Sequence, residues 1–144
     1  MQLDVLERLT DSIPWLGVIG LLIAVLTYIS IMRKPAGNDL MRKLSDRVHH
    51  GAFVFLRREY SIISVFIVVV FVALAVLLGV WTAVAFLCGA LCSMGAGLLG
   101  MEAATRSNAR TAQGAIDGGV ARALLIAFRG GSVMGLSVAA LGVV

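Results

Sequence analysis

Long apolar runs alternate with polar stretches along this chain, and each run holds about 20 residues, which is enough for a helix to cross a bilayer. Pro14 lies in the first turn of the first run, where its missing N–H costs little. Only a short turn at Gly79 separates the second and third runs, and this predicts a helical hairpin. The pattern therefore predicts an all-α membrane protein, part of a larger helical bundle, with four transmembrane helices at about 13–32, 61–78, 81–101 and 123–144.

The first polar stretch, residues 33–60, has a helical pattern of its own. Asp39 follows turn-forming residues and is predicted to be an N-cap. Leu40, Leu44 and Val48 recur at positions i, i+4 and i+8. This spacing predicts either an amphipathic helix at the membrane surface or an extended cytosolic start of the second span.

Basic residues are concentrated in the connections between the apolar runs. Residues 33–60 contain seven Lys or Arg, residues 102–122 contain three, and the turn at Gly79 contains none. The positive-inside rule therefore predicts that both connections are cytosolic and that the N-terminus lies outside. Trp15 and Tyr28, near the two ends of the first run, are predicted to be interface anchors.

The composition agrees with a multi-pass membrane protein. Of the 144 residues, 60% are hydrophobic and 14% are charged, and the mean hydropathy is +0.99. Soluble domains are about half apolar and a quarter charged. A net charge of +4 could suggest nucleic acid, but the cations flank apolar runs, so we expect a lipid bilayer and no nucleic acid as partner. Cys88 and Cys92 lie inside an apolar run and are interpreted as packing residues.

Small residues form stripes at helical spacing in the third and fourth runs. Small residues let helix backbones approach closely in lipid, where apolar side chains gain little by leaving the acyl chains. The spacing favours helix packing in a larger bundle over a substrate path. The residues predicted to pack in this way are Gly89, Ser93, Gly97, Gly100, Gly131 and Gly135.

Four charged residues are candidates for contacts at the cytosolic helix ends. Glu102 and Arg106 have the spacing of an i, i+4 ion pair, and Arg110 continues that face. The alternative role for them is contact with an anionic substrate or another cytosolic loop. Arg129 is the hardest to place, because a charge deep in the membrane is costly unless it snorkels, faces protein or sits at the surface.

No catalytic, cofactor-binding or metal-ligating set can be assembled from the sequence. The eight carboxylates are scattered singly along the chain. His49 and His50 are adjacent, so on a helix they point about 100° apart and do not suit one metal ion. The sequence also lacks the glycine-rich and histidine-rich motifs of nucleotide and zinc sites.

Three stretches together resemble a known family. They are "GAFVFLRREYSI", "SMGAGLLGMEAATRSNARTAQGA" and "ALLIAFRGGSVMGLSV". In order and spacing they resemble the N-terminal part of membrane-integral, ion-pumping inorganic pyrophosphatases, over roughly residues 46–142. Ser107 stands where that family more often has alanine, and Gln113 and Gly114 also depart from its alanine-rich pattern.

The resemblance implies a larger protein than this chain. Members of the family are homodimers of long subunits with many membrane helices. They hydrolyse pyrophosphate at a cytosolic Mg²⁺ site and move H⁺ or Na⁺ across a membrane. Their acidic motifs lie on later helices, and no residue here matches them. We therefore expect an N-terminal fragment that serves as scaffold, is inactive alone and has Arg129 at the cytosolic shoulder of a helix.

Two other interpretations remain open at the level of the sequence. The chain could be a self-contained small membrane scaffold or accessory subunit. It could also be a small ion channel built from several copies, with Arg129 lining the pore. The choice between H⁺ and Na⁺, and any dependence on K⁺, is not decided by these residues.

Overall fold

The computed structural model describes the backbone of residues 2–143 and the side chains of residues 13–143, and all regular secondary structure within that range is α-helical. Three helices are long and apolar enough to cross a membrane, by length and composition. The sequence predicted four. The three helices are α1 (Gln2–Met32), α2 (Asp39–Leu77) and α3 (Val80–Val143).

The difference in helix number lies in α3, which contains both the third and the fourth apolar run. This 64-residue element has non-helical dihedrals at Gly118 and Gly119, where the chain turns. Gly119 has φ +70°, a left-handed conformation that favours glycine. The prediction of four separate helices is therefore wrong as a count. We refer to residues 80–117 as the first limb of α3 and to residues 120–143 as its second limb.

The two limbs of α3 lie side by side and antiparallel. A Cβ built on Gly114 would lie 2.6 Å from Ile126 Cδ1, and a Cβ on Gly100 would lie 2.5 Å from Met134 Cγ. Residues of the first limb that lie further from the glycine turn therefore contact residues of the second limb that also lie further from it. The polar stretch 102–122, predicted as a connection, is mostly a helical extension of the first limb.

Helix α1 begins earlier than the apolar run that it contains. The run itself spans Ile13–Met32, whereas the helix begins at Gln2 and places Pro14 in its interior. The expectation that Pro14 lies in the first helical turn is therefore wrong. Because proline has no N–H, α1 lacks one backbone hydrogen bond at the point where its apolar part begins.

Helix α2 runs without a break through the amphipathic stretch and the second apolar run. Its N-cap is Asn38, whose side chain accepts a hydrogen bond from Met41 N (2.9 Å). The sequence predicted Asp39 as the N-cap. Asp39 instead lies in the first turn, where its negative charge interacts favourably with the positive end of the helix dipole. The amphipathic stretch is thus the start of α2 and not a separate helix. After α2, Gly79 turns the chain with φ +100°.

Helices α1 and α2 both pack on α3, and within the described part of the chain they do not contact each other. Few apolar side chains are buried, and one cluster of them consists of Ile31, Ala103 and Val133, with Tyr28 and Met32 packed against it. Most large apolar side chains point outward, and Trp81 is 88% exposed. This distribution is typical of a membrane protein, whose outer surface faces lipid or further helices.

Candidate functional site

Polar side chains from all three helices meet around Glu102. Tyr28 of α1 donates a hydrogen bond from Oη to Glu102 Oε1 (3.2 Å). His49 of α2 places Nε2 3.4 Å from Glu102 Oε2. Arg106, one turn further along α3, places Nε 3.2 Å from Oε1. These four residues and Thr105 form the Glu102 cluster, in which one carboxylate joins the three helices.

Thr105 completes the contact between α2 and α3. Its hydroxyl lies 2.8 Å from Met101 O and donates to this carbonyl of the preceding turn. The same hydroxyl oxygen lies 2.8 Å from His49 Nδ1, and these two atoms are hydrogen-bonded. Both ring nitrogens of His49 therefore face oxygen atoms, those of Thr105 and Glu102. These contacts set the orientation of the ring and the register of α2 against α3.

Arg110 ties the end of α1 to the first limb of α3. Its Nη1 donates to Arg106 O (2.6 Å) and its Nη2 donates to Met32 O (3.4 Å). Met32 is the last residue of α1, where carbonyl oxygens lack helical partners and carry partial negative charge. Burial, and then the positive charge of Arg106, lower the pKa of the Arg110 guanidinium from its ordinary value. Arginine starts from so high a value that it keeps its charge near neutral pH.

The predicted packing residues are divided between inner and outer faces of α3. Gly97 and Gly100 face neighbouring helices, and a Cβ on Gly97 would lie 2.6 Å from Tyr60 Oη. For three other glycines, no described atom lies within 4 Å of the corresponding Cβ position, and Ser93 is exposed. These outward residues are Gly89, Ser93, Gly131 and Gly135. Their role in close packing stays a prediction about contacts beyond the described residues.

Arg129 lies on the second limb of α3, beside α1. It is partly buried and borders a cleft together with Thr27 and Ser30 of α1. Because α1 ends at Met32, Arg129 lies near the level at which the apolar run of α1 ends. Of the predicted charged residues, Glu102 and Arg106 belong to the Glu102 cluster, and Arg129 does not.

Comparison with known proteins matches this chain to one family over most of its length. Residues 18–144 match the family described as Inorganic H⁺ pyrophosphatase. The chain belongs to this family.

Relatives in the pyrophosphatase family include pumps for both ions. The chain is 41% identical over 132 residues to a K(+)-insensitive pyrophosphate-energized proton pump of Pyrobaculum aerophilum. The aligned region covers 88% of this chain and 18% of the relative. It is 39% identical over 135 residues to the pump of the same description from Methanosarcina mazei, covering 92% and 20%. It is 39% identical over 122 residues to a K(+)-stimulated pyrophosphate-energized sodium pump of Thermotoga maritima, covering 84% and 17%. The chain thus spans about a fifth of the length of these curated relatives.

The described residues do not fit the Mg²⁺ site that the pyrophosphatase family implies. Mg²⁺ is held by converging oxygen ligands, usually carboxylates. Among the described residues, no three His, Cys, Asp or Glu side chains come together in a way that could hold a metal ion. Asp46 and Glu102 both contact the guanidinium of Arg106, so their carboxylates are already engaged in ion pairs. No step that involves Mg²⁺ is therefore assigned to these residues.

Sequence reasoning missed three of the five residues of the Glu102 cluster. Tyr28 was expected at the membrane interface, but its hydroxyl turns inward to Glu102. His49 was considered and rejected as a metal ligand, and neither Asp46 nor Thr105 was assigned a contact. One signal was available, because Asp46 and His49 lie three residues apart and share a helical face opposite Leu40.

Proposed function

We propose that this chain contributes membrane helices to a pump that couples hydrolysis of inorganic pyrophosphate to translocation of H⁺ or Na⁺. The observation that carries the proposal is the family match over residues 18–144. Relatives described as proton pumps and as a sodium pump match this chain with similar identities, 41% and 39%. The proposal therefore covers either ion.

Within such a pump, the role of these residues is structural. Glu102 contacts α1 and α2 through side chains, and Arg110 binds the carbonyl end of α1. These contacts hold helix ends together and leave Glu102 and Arg106 occupied with each other. The catalytic groups and the Mg²⁺ that the family uses lie elsewhere in the pump.

We further propose a topology of four membrane crossings with the N-terminus outside. The two limbs of α3 supply the third and fourth crossings, since they lie antiparallel about the turn at Gly118 and Gly119. Residues 33–60 and 102–122 then lie in the cytosol, where the positive-inside rule places their cations. Trp81 is exposed at the start of α3, the end opposite the Glu102 cluster, as expected for an anchor at the outer interface.

The outer surface supports assembly into a larger bundle and a homodimer. Large apolar side chains of α2 such as Phe66 and Val69 are more than half exposed. The outward stripe with Gly131 and Gly135 offers a smooth surface for close helix approach. Lipid, the remaining helices of the pump and a second subunit would cover these faces.

The proposal is tested by reading the coding DNA beyond Val144 and assaying the full-length gene product in membrane vesicles. We expect an open frame with acidic motifs, Mg²⁺-dependent hydrolysis of pyrophosphate, and ion uptake that stops when pyrophosphate is omitted. Ion flux without pyrophosphate, lost in Arg129→Ala, would instead indicate a small channel. A stable oligomer with neither hydrolysis nor flux would indicate a scaffold or accessory subunit.

A further inference from the structure

A basic cleft lies where the chain passes from α1 to α2, beside the Glu102 cluster. It has a volume of about 360 Å³ and is bordered by the connection after α1, the first turns of α2 and the first limb of α3. Four cations line it against a single carboxylate, an excess of three positive charges. These five residues are Lys34, Arg42, Arg106, Arg110 and Asp46.

Most of this positive charge has no carboxylate partner. Arg106 contacts Asp46 (Nη1 to Oδ1, 3.4 Å) and Glu102. Among the described residues, no carboxylate oxygen lies within 4.0 Å of a side-chain nitrogen of Lys34, Arg42 or Arg110. Asp46 is thus already used by Arg106, and the other three cations face the cleft uncompensated.

The guanidinium of Arg110 has a buried hydrogen-bond donor that is not satisfied by the described residues. Two of its nitrogens donate to the neutral carbonyls of Arg106 and Met32. Its Nε is buried and has no hydrogen-bond partner in the part of the chain that the structure describes. A buried donor without an acceptor is costly, and the nearby charge of Arg106 adds repulsion. An anion in the cleft would offset both costs.

We propose that this cleft binds a phosphate group, either in the headgroup of an anionic lipid or as free inorganic phosphate. Guanidinium groups bind phosphate oxygens through paired N–H donors, and the excess of positive charge in the cleft attracts a phosphate anion. The cleft begins two residues after the apolar run Ile13–Met32 ends, at the depth of lipid headgroups. This inference does not rest on the pumping activity, since it uses only the charge and position of the cleft.

Hydrogen–deuterium exchange of the full-length protein in detergent tests the proposal at the site itself. The readout is the exchange rate of the backbone amides in residues 33–42, which border the cleft. The additions are phosphatidylglycerol, phosphatidylcholine and inorganic phosphate, each in a separate sample. We expect phosphatidylglycerol or inorganic phosphate to slow exchange about threefold or more, and phosphatidylcholine to have little effect.

The variant Arg42→Gln removes one uncompensated cation and should abolish this protection. Arg42 is exposed, and within residues 13–143 no carboxylate pairs with its side chain, so the variant should fold. Arg47→Gln is the matched control, because Arg47 is an exposed arginine of the same helix that does not line the cleft.

Each outcome of the exchange experiment decides something. Protection by phosphatidylglycerol alone assigns the site to a lipid headgroup, and protection by inorganic phosphate assigns it to a free anion. If neither phosphatidylglycerol nor inorganic phosphate slows exchange, the proposal is overturned. Equal protection in Arg42→Gln, or equal loss in Arg42→Gln and Arg47→Gln, also overturns it, because the effect would then be general attraction to a basic surface.

Discussion

The second limb of α3 and the helix α2 both pack on the first limb of α3, but they do so through different contacts. The two limbs meet through small residues, and Gly130 lies directly against Ser107. Helix α2 is held mainly by directional polar contacts, among them the hydrogen bond from Tyr60 Oη to Met94 O (2.6 Å). The hydrophobic effect contributes little between helices in lipid, so close packing and hydrogen bonding are the two remaining sources of attraction.

These two interfaces should therefore respond to different substitutions. The limb interface depends on the absence of side-chain volume, so it should be sensitive to added atoms. The α2 interface depends on individual donors and acceptors, so each removed group should have a separate and smaller effect. The predictions below follow this order, and each uses the full-length protein in mixed micelles, with unfolding driven by SDS.

The largest effect should come from Gly130→Leu. A Cβ at Gly130 would overlap the side chain of Ser107, including its Cβ at 2.9 Å, so the limbs must separate. We expect the free energy of unfolding to fall by about 2–3 kcal/mol, the upper part of the usual range for overpacking. Unfolding measured by circular dichroism checks this.

The matched control for the limb interface is Gly131→Leu, one residue further along the same helix. A Cβ at Gly131 would meet no described atom within 4 Å. We expect a change of under about 0.5 kcal/mol if this face contacts lipid. An equal loss in both variants would show that further helices cover Gly131. If Gly130→Leu were tolerated, the close-packed limb interface would be contradicted.

Glu102→Gln should have the next largest effect, because it removes the charge that joins α1, α2 and Arg106. The carboxylate is partly exposed, at 31%, so solvent screens part of the loss. We expect a destabilisation of about 1–2 kcal/mol. The control is Asp46→Asn, since Asp46 is 70% exposed and its one ion pair among the described residues is with Arg106. Equal effects in the two variants would contradict the central position of Glu102.

Tyr60→Phe should have the smallest effect of the three. It removes one hydrogen bond, from Tyr60 Oη to Met94 O, and keeps the ring that packs beside Gly97. We expect a loss of about 1 kcal/mol in the free energy of unfolding. Ser61→Ala is the control, because that hydroxyl bonds only within its own helix, to Arg57 O. A loss of more than about 2 kcal/mol would mean that α2 depends on one bond, against the distributed contacts seen here.

Much of the helical architecture followed from the sequence, whereas the polar site followed only in part. The first apolar run was predicted to end at Met32, which is where α1 ends. The i, i+4 spacing of Glu102 and Arg106 led directly to a pair that the structure contains. The contacts of Glu102 with Tyr28 and His49 could not be predicted, because they join residues 74 and 53 positions apart and depend on how the helices pack.

By itself, the sequence determined the membrane character of the protein and the positions of its apolar runs, because run length and charge placement act locally along the chain. Tertiary structure decided which side of each helix is buried. Gly130 and Gly131 are adjacent and chemically identical, yet only Gly130 faces another limb. A helix has the same backbone hydrogen bonds at every rotation about its axis, so only contacts with neighbouring helices select the buried face.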